Sequence, residues 1–171
     1  MEQISEMLNH IAKEMKSAVE NRKQMWRKID ATEIKLQLQT FCEKHRDLED
    51  SKIVISYLKS SYITQSHKFK LVSYIEEPFV ELYPPHEYLN MKPLFTNIEA
   101  DMMAFTNQLS QHFFQIIPSE QEEVRRSYME ILYIESALFF ERILSEMEID
   151  IKEDPIFFGA ELGEVKWMGD L

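Results

Sequence analysis

Glycine is almost missing from this chain: Gly159, Gly163 and Gly169 are the only three in 171 residues, all close to the end. Phosphate-cradling loops and dinucleotide turns need glycine where the backbone approaches a ligand or takes a positive φ. No G-x-x-x-x-G-K-[ST], G-x-G-x-x-G or G-x-S-x-G element is present. P-loop nucleotide hydrolases, dinucleotide-type Rossmann folds and α/β-hydrolases of the usual kind are therefore excluded as readings. Cysteine is scarcer still. Cys42 is alone, which excludes an internal disulfide framework and a multi-cysteine zinc site, and fits a reducing compartment. No apolar run approaches the roughly 20 residues of a membrane span. The first residues, MEQISEMLNHIAKEMK, interleave charge with apolar side chains and lack the continuous apolar segment of a secretory signal.

What the chain does contain is a substantial apolar fraction, 44% hydrophobic and 12% aromatic, with only six prolines. That is enough to bury one core, so residues 1–171 are expected to form a single globular domain, and a cytoplasmic location is expected. The net charge of −11 is unevenly placed. Residues 1–50 and 51–95 are close to neutral, while residues 96–171 carry the whole imbalance. Residues 51–75 have no acid, yet hold Lys52, Lys59, Lys68 and Lys70. A strongly acidic balance opposes binding to nucleic acid or to anionic membranes and favours solubility or a basic partner.

The periodicity predicts an α+β fold. Ile4, Leu8, Ile11, Met15, Ala18, Met25 and Ile29 keep the spacing of one amphipathic N-terminal helix, with Arg22 the single interruption. Residues 33–40 alternate polar and apolar, which predicts a strand; Ile34, Leu38, Phe41, His45 and Leu48 also fit a helix, and Leu36 tips the balance to the strand. Residues 53–58 and 69–75 are β-branched and aromatic, and with 33–40 make an antiparallel three-stranded meander. Its apolar face carries Ile34, Leu36, Leu38, Ile53, Ile55, Tyr57, Phe69, Leu71 and Ile75. Its polar face carries Lys35, Gln37, Gln39, Ser56, Ser60, Tyr62, Lys68, Lys70 and Tyr74. Four prolines mark residues 76–95 as an irregular connector with a short turn at His86–Asn90. Two long helices follow, opened by capping boxes at Thr96–Glu99 and Ser119–Glu122, the second running to about Met147. A C-terminal β-hairpin, turned by Gly159 and Gly163, is expected to join the sheet and set Trp167 against the core.

Candidate chemistry is sparse. His10 with Glu14 and His45 with Glu49 stand four apart, but two ligands make no metal site and no H-E-x-x-H motif exists, so no metal and no cofactor are expected. Glu135 lies off the polar stripe of the last long helix; buried, it could serve as an acid or base, or merely pair with Arg142, Arg125 or Arg126. Ser66-His67 and Cys42 invite a nucleophile reading that adjacency in a turn and a lone thiol do not support. His86 and Glu87 occupy a loop, where a capped turn accounts for them equally.

Two surfaces are left as partner sites. One is the acidic helical region with Glu120, Glu122, Glu123 and Glu130; the other is the sheet face with Lys68, Lys70, Tyr62 and Tyr74, which an ordinary solvated face would also explain. The expected function is thus a small acidic protein-interaction module, of inhibitor, immunity-type or adaptor kind. The alternatives are an enzyme or small-ligand binder built on a buried Glu135, and a self-assembling structural subunit.

Overall fold

A computed structural model describes residues 2–45, 51–75, 83–147, 155–161 and 163–170. The fold is mixed α+β. In chain order it comprises α1 (Glu2–His10), α2 (Ala12–Trp26), α3 (Thr32–His45), β1 (Lys52–Tyr57), α4 (Lys59–Ile63), β2 (Lys68–Tyr74), β3 (His86–Asn90), α5 (Ile98–Ser110), α6 (Pro118–Glu135), α7 (Ala137–Ser145), β4 (Ile156–Ala160) and β5 (Val165–Trp167). Short 3₁₀ turns cover Lys92–Phe95 and Met168–Asp170.

The five strands form one sheet in the order β3-β2-β1-β4-β5. β1 pairs antiparallel with β2 and parallel with β4, while β2/β3 and β4/β5 are antiparallel. This mixed sheet differs from the meander with an appended hairpin that the alternation predicts. Residues 33–40 belong to α3, not to a strand. Helical spacing wins there because Ile34, Leu38, Phe41, Cys42 and His45 all become buried on one helix face, whereas Leu36 is left 65% exposed. Asp30 supports the helix start, its Oδ1 accepting from the Thr32 N–H at 3.0 Å and from the Thr32 hydroxyl at 2.6 Å. His86–Asn90, expected to be a turn, is strand β3.

The helices cover one face of the sheet. Ile53, Ile55 and Tyr57 of β1, Phe69 and Leu71 of β2, Leu89 of β3, and Ile156 and Phe158 of β4 join their apolar stripes in the main core. Tyr133 of α6 sits among rings, 4.9 Å from Phe95 and 5.3 Å from Phe69 by centroid, both edge-on, an arrangement aromatic pairs favour. On the other face a small cluster of Val54, Val72 and Tyr74 is buried, with Phe157 and Val165 against it. The expected polar face is thus apolar in its middle.

Three further expectations shift. The N-terminal helix is two helices meeting at Ile11, and its buried row is Met7, Ile11, Met15, Val19, Arg22 and Trp26, while Met25 is exposed. The long second helix is also two, α6 and α7, joined at the buried Ser136, whose hydroxyl donates to the Tyr133 carbonyl at 2.6 Å. Serine bonding back to the preceding turn is a known cause of helix bending. Glycine supplies no positive φ anywhere among the described residues. Gly159 instead lies inside β4, where an added Cβ would stand 2.2 Å from the Glu164 carbonyl oxygen, so its role is close approach of β5. Trp167 is half-buried and outside the main core.

Candidate functional site

Two depressions lie along α2, one against α6 and one against α7, and together they make up a trough. Apolar spacing on α6 and α7 exceeds what one buried face can absorb. Val124, Tyr128, Leu132, Phe139, Phe140 and Ile143 point inward, and a second row at intervals of three and four, Ile131, Ile134 and Leu138, remains exposed at 39%, 53% and 42%. Ile131 lines one depression and Leu138 the other, while Ile134 lines neither. The smaller, about 420 Å³, is lined by Leu8, Ala12, Met15 and Val19 opposite Ile131 and Glu135. The larger, about 800 Å³, is lined by Trp26, Leu138, Phe139, Leu144 and Met168, with Arg27 and Arg142 at its rim.

Glu135, the carboxylate that stood out in the sequence, stands between the two depressions. Its surroundings differ from the expected ones: the side chain is one-third exposed and pairs with Lys23 of α2 at 2.8 Å, not with Arg142, Arg125 or Arg126. Lys23 also holds Glu20 at 3.1 Å, and the Glu135 bond, partly offset by desolvation, leaves the ammonium above the usual lysine range. A partly exposed, paired carboxylate of this kind ties two helices together. Arg142 is occupied otherwise, donating to the carbonyls of Trp26 at 3.2 Å and Ile29 at 3.3 Å, where α2 ends.

The acidic residues of α6 have taken local partners. Glu120 accepts from the Ile117 N–H at 3.0 Å and so caps the helix start, two residues before the predicted box. Glu122 lies 3.7 Å from Arg125, and Glu123 pairs with Arg126. Glu130 is exposed. Glu123 and Glu130 fall two turns apart, and Ile134 lies one turn beyond Glu130, so the charged row runs beside the apolar one. Glu123 and Glu130, two of the predicted acidic contacts, thus lie beside an exposed apolar surface.

It does not assemble the second predicted surface. Lys68 and Lys70 share a face of β2, but Lys70 bonds Glu161 at 3.1 Å and Lys68 lies 6.0 Å over the Tyr88 ring. Tyr74 is 3% exposed, so it is packing material. Ser60 and Tyr62 belong to α4, and Lys35, Gln37 and Gln39 to α3. Among the described residues no group of three His, Cys, Asp or Glu side chains is placed to hold a metal; the His10 and His112 rings lie 3.9 Å apart, tilted by 51°, and Glu49 of the second metal pair lies outside the described residues. Cys42 is buried, and the Ser66 hydroxyl accepts from Thr64 at 3.0 Å, so neither thiol nor hydroxyl is set up as a nucleophile. His86, at the start of β3, has its Nδ1 3.2 Å from the Pro84 carbonyl, a local contact.

One cluster escaped the sequence altogether. Arg22, read as an interruption of the apolar stripe, is 5% exposed. Its Nε donates to Asp101 Oδ2 at 2.7 Å and to the Tyr128 hydroxyl at 3.0 Å, and its Nη1 to the Thr96 carbonyl at 2.6 Å. Tyr128 in turn donates to Asp101 at 2.7 Å. Burial, then the adjoining Asp101, pushes the phenol well above the ordinary tyrosine range. This is a structural lock between α2, α5 and α6. The interruption itself was the available signal, since a cation at a core position must be paired.

Among the described residues no helix is long and apolar enough to cross a membrane. No family model, no curated protein and no solved structure matches this chain.

Proposed function

We propose that the chain is a protein-interaction module whose contact surface is the trough along α2, α6 and α7. The observation that carries this is the exposed row Ile131, Ile134 and Leu138, whose two ends line apolar depressions and which has Glu123, Arg126 and Glu130 beside it on α6. An apolar centre inside a charged rim is the anatomy of a protein contact, and a trough between helices suits an amphipathic helix of the partner. Folding does not need these three side chains outside, and leaving them there costs solubility, so a covering partner accounts for them. Such a module acts by occupancy, as an inhibitor, immunity-type factor or adaptor does. Glu135, the carboxylate between the two depressions, is spent on Lys23.

The test is site-specific photo-crosslinking in the native cell, with the crosslinking amino acid in place of Ile134. A single cross-linked species is expected, competed away by unlabelled protein and absent when Ile131→Asp and Leu138→Asp are added. A partner identified as a second copy of the chain would move the assignment to the self-assembling reading. No species beyond those trapped from Leu36, an exposed residue far along the chain on α3, would overturn the proposal.

A further inference from the structure

The described residues contain three non-glycine positions with left-handed backbone, Gln65 at φ 51°, His67 at 45° and Asn97 at 60°. They come from two separate loops, and all three line one cleft of about 290 Å³. Glycine would hold each conformation without strain, so three side chains kept at strained positions around one space point to a use for those side chains there. The cleft is separate from the α2/α6/α7 trough and does not depend on it.

Its chemistry is specific. His67 is fixed on two sides: Nδ1 lies 3.2 Å from the Tyr133 hydroxyl, itself 2.8 Å from Ser61 Oγ, and the ring stacks on Phe95 at 4.9 Å and 24°. Nε2, on the opposite side of the ring, has no hydrogen-bond partner among the described residues. Burial, with a smaller push from Lys92, holds the imidazole below its ordinary range, so it is neutral near pH 7. Arg125 and Glu99 also line the cleft, but they cancel one another through a two-pronged bond, with Nη2 to Oε2 at 2.9 Å. The remaining lining is two amides, Gln65 and Asn97, and the apolar Phe95, Ile98 and Met129.

We infer that this cleft binds a small uncharged nitrogen heterocycle of nucleobase size. Its volume admits a one- or two-ring compound and sits at the small end of ligand sites. Phe95, Ile98 and Met129, nearly buried, floor the cleft, while two amides and an imidazole nitrogen supply donors and acceptors for a polar edge. Within the lining a charged ligand finds no free counter-charge, because the arginine and the glutamate are already paired. Ser61 is buried and cannot act as a nucleophile, so its bond to Tyr133 orients His67 and the site binds without reacting.

The experiment is a titration of the full chain with free adenine and with free cytosine, followed by NMR at the His67 Hε1 resonance, with benzoate as the charged control. At least one base is expected to shift the resonance saturably, and benzoate to leave it in place. Asn97→Gly should raise the melting temperature by relieving strain and weaken base binding about tenfold or more. Ile131→Asp with Leu138→Asp should leave base binding unchanged, which separates this site from the trough. Three results would overturn the inference: no saturable shift with either base up to about 10 mM, far weaker than a built site should bind; benzoate bound as tightly as the bases; or an Asn97→Gly protein that binds like the parent.

Discussion

Arg22 is the residue on which most of the helical layer converges. A buried guanidinium with one carboxylate, one phenol and one carbonyl is satisfied only by the planar fork of arginine; a lysine ammonium cannot reach all three. Arg22→Lys should therefore destabilise the fold by about 2–4 kcal/mol, close to the cost of breaking a buried ion pair. Urea denaturation checks this, and a loss below about 1 kcal/mol would mean that the network contributes little. Histidines give the second prediction at this scale. Burial is the larger cause that lowers His45 and His67, with Lys44 and Lys92 adding to it; at His45 the neighbouring Glu87 pulls the other way. A folded-state value below the unfolded one means that, on acidification, the unfolded chain takes up protons first. Stability should accordingly hold above about pH 6.5 and fall as the pH drops from there toward the lowered values. Melting temperatures measured between pH 7.5 and 5.5 should show this decline, and His67→Asn, which bears the left-handed backbone with less strain than most residues other than glycine, should lessen it. An equal decline in that variant would assign the effect elsewhere.

At the scale of elements, α3 shows why period alone misled. Leu36 and Leu38 share a face in a strand and oppose one another in a helix, so eight alternating residues could not separate the two. The extra information lay downstream, in Phe41, Cys42 and His45, which extend only the helical face. The difference is testable. Leu38→Ala should cost about 2–5 kcal/mol, whereas Leu36→Lys should stay within about 0.5 kcal/mol. Similar losses at both positions in denaturant melts would restore the strand. Strands β1 and β2 were legible because Ile53, Ile55 and Phe69 are β-branched or aromatic and alternate, with Leu71 continuing the same face. β3 was hidden by Pro84 and Pro85, which mark a connector although the strand starts immediately after them. The parallel step from β1 to β4 spans about a hundred residues, and no local pattern encodes it. Helix breaks at Ile11 and Ser136 were equally silent, because neither glycine nor proline marks them.

For the molecule as a whole, the question is whether the −11 charge or the exposed apolar row governs association. Sequence reading favoured charge, because acids crowd residues 96–171. The fold weakens that argument, since Glu120 caps α6 and Glu99, Glu122 and Glu123 are held by arginines of the same helix. Charges so engaged contribute long-range steering more than contact energy, and salt screens the steering over roughly 10 Å. Ile131, Ile134 and Leu138 have no such internal partner and would gain fully from burial. With the cross-linked partner in hand, Ile131→Asp with Leu138→Asp should raise Kd about thirtyfold or more, or about 2 kcal/mol, chiefly through faster dissociation. Glu122→Lys with Glu123→Lys should slow association, change Kd less than about tenfold, and lose its effect in high salt. Stopped-flow binding at two ionic strengths reads both rates. If charge reversal proves the costlier pair at high salt as well, the contact runs through the acidic row of α6, and the trough is a by-product of packing two bent helices against α2.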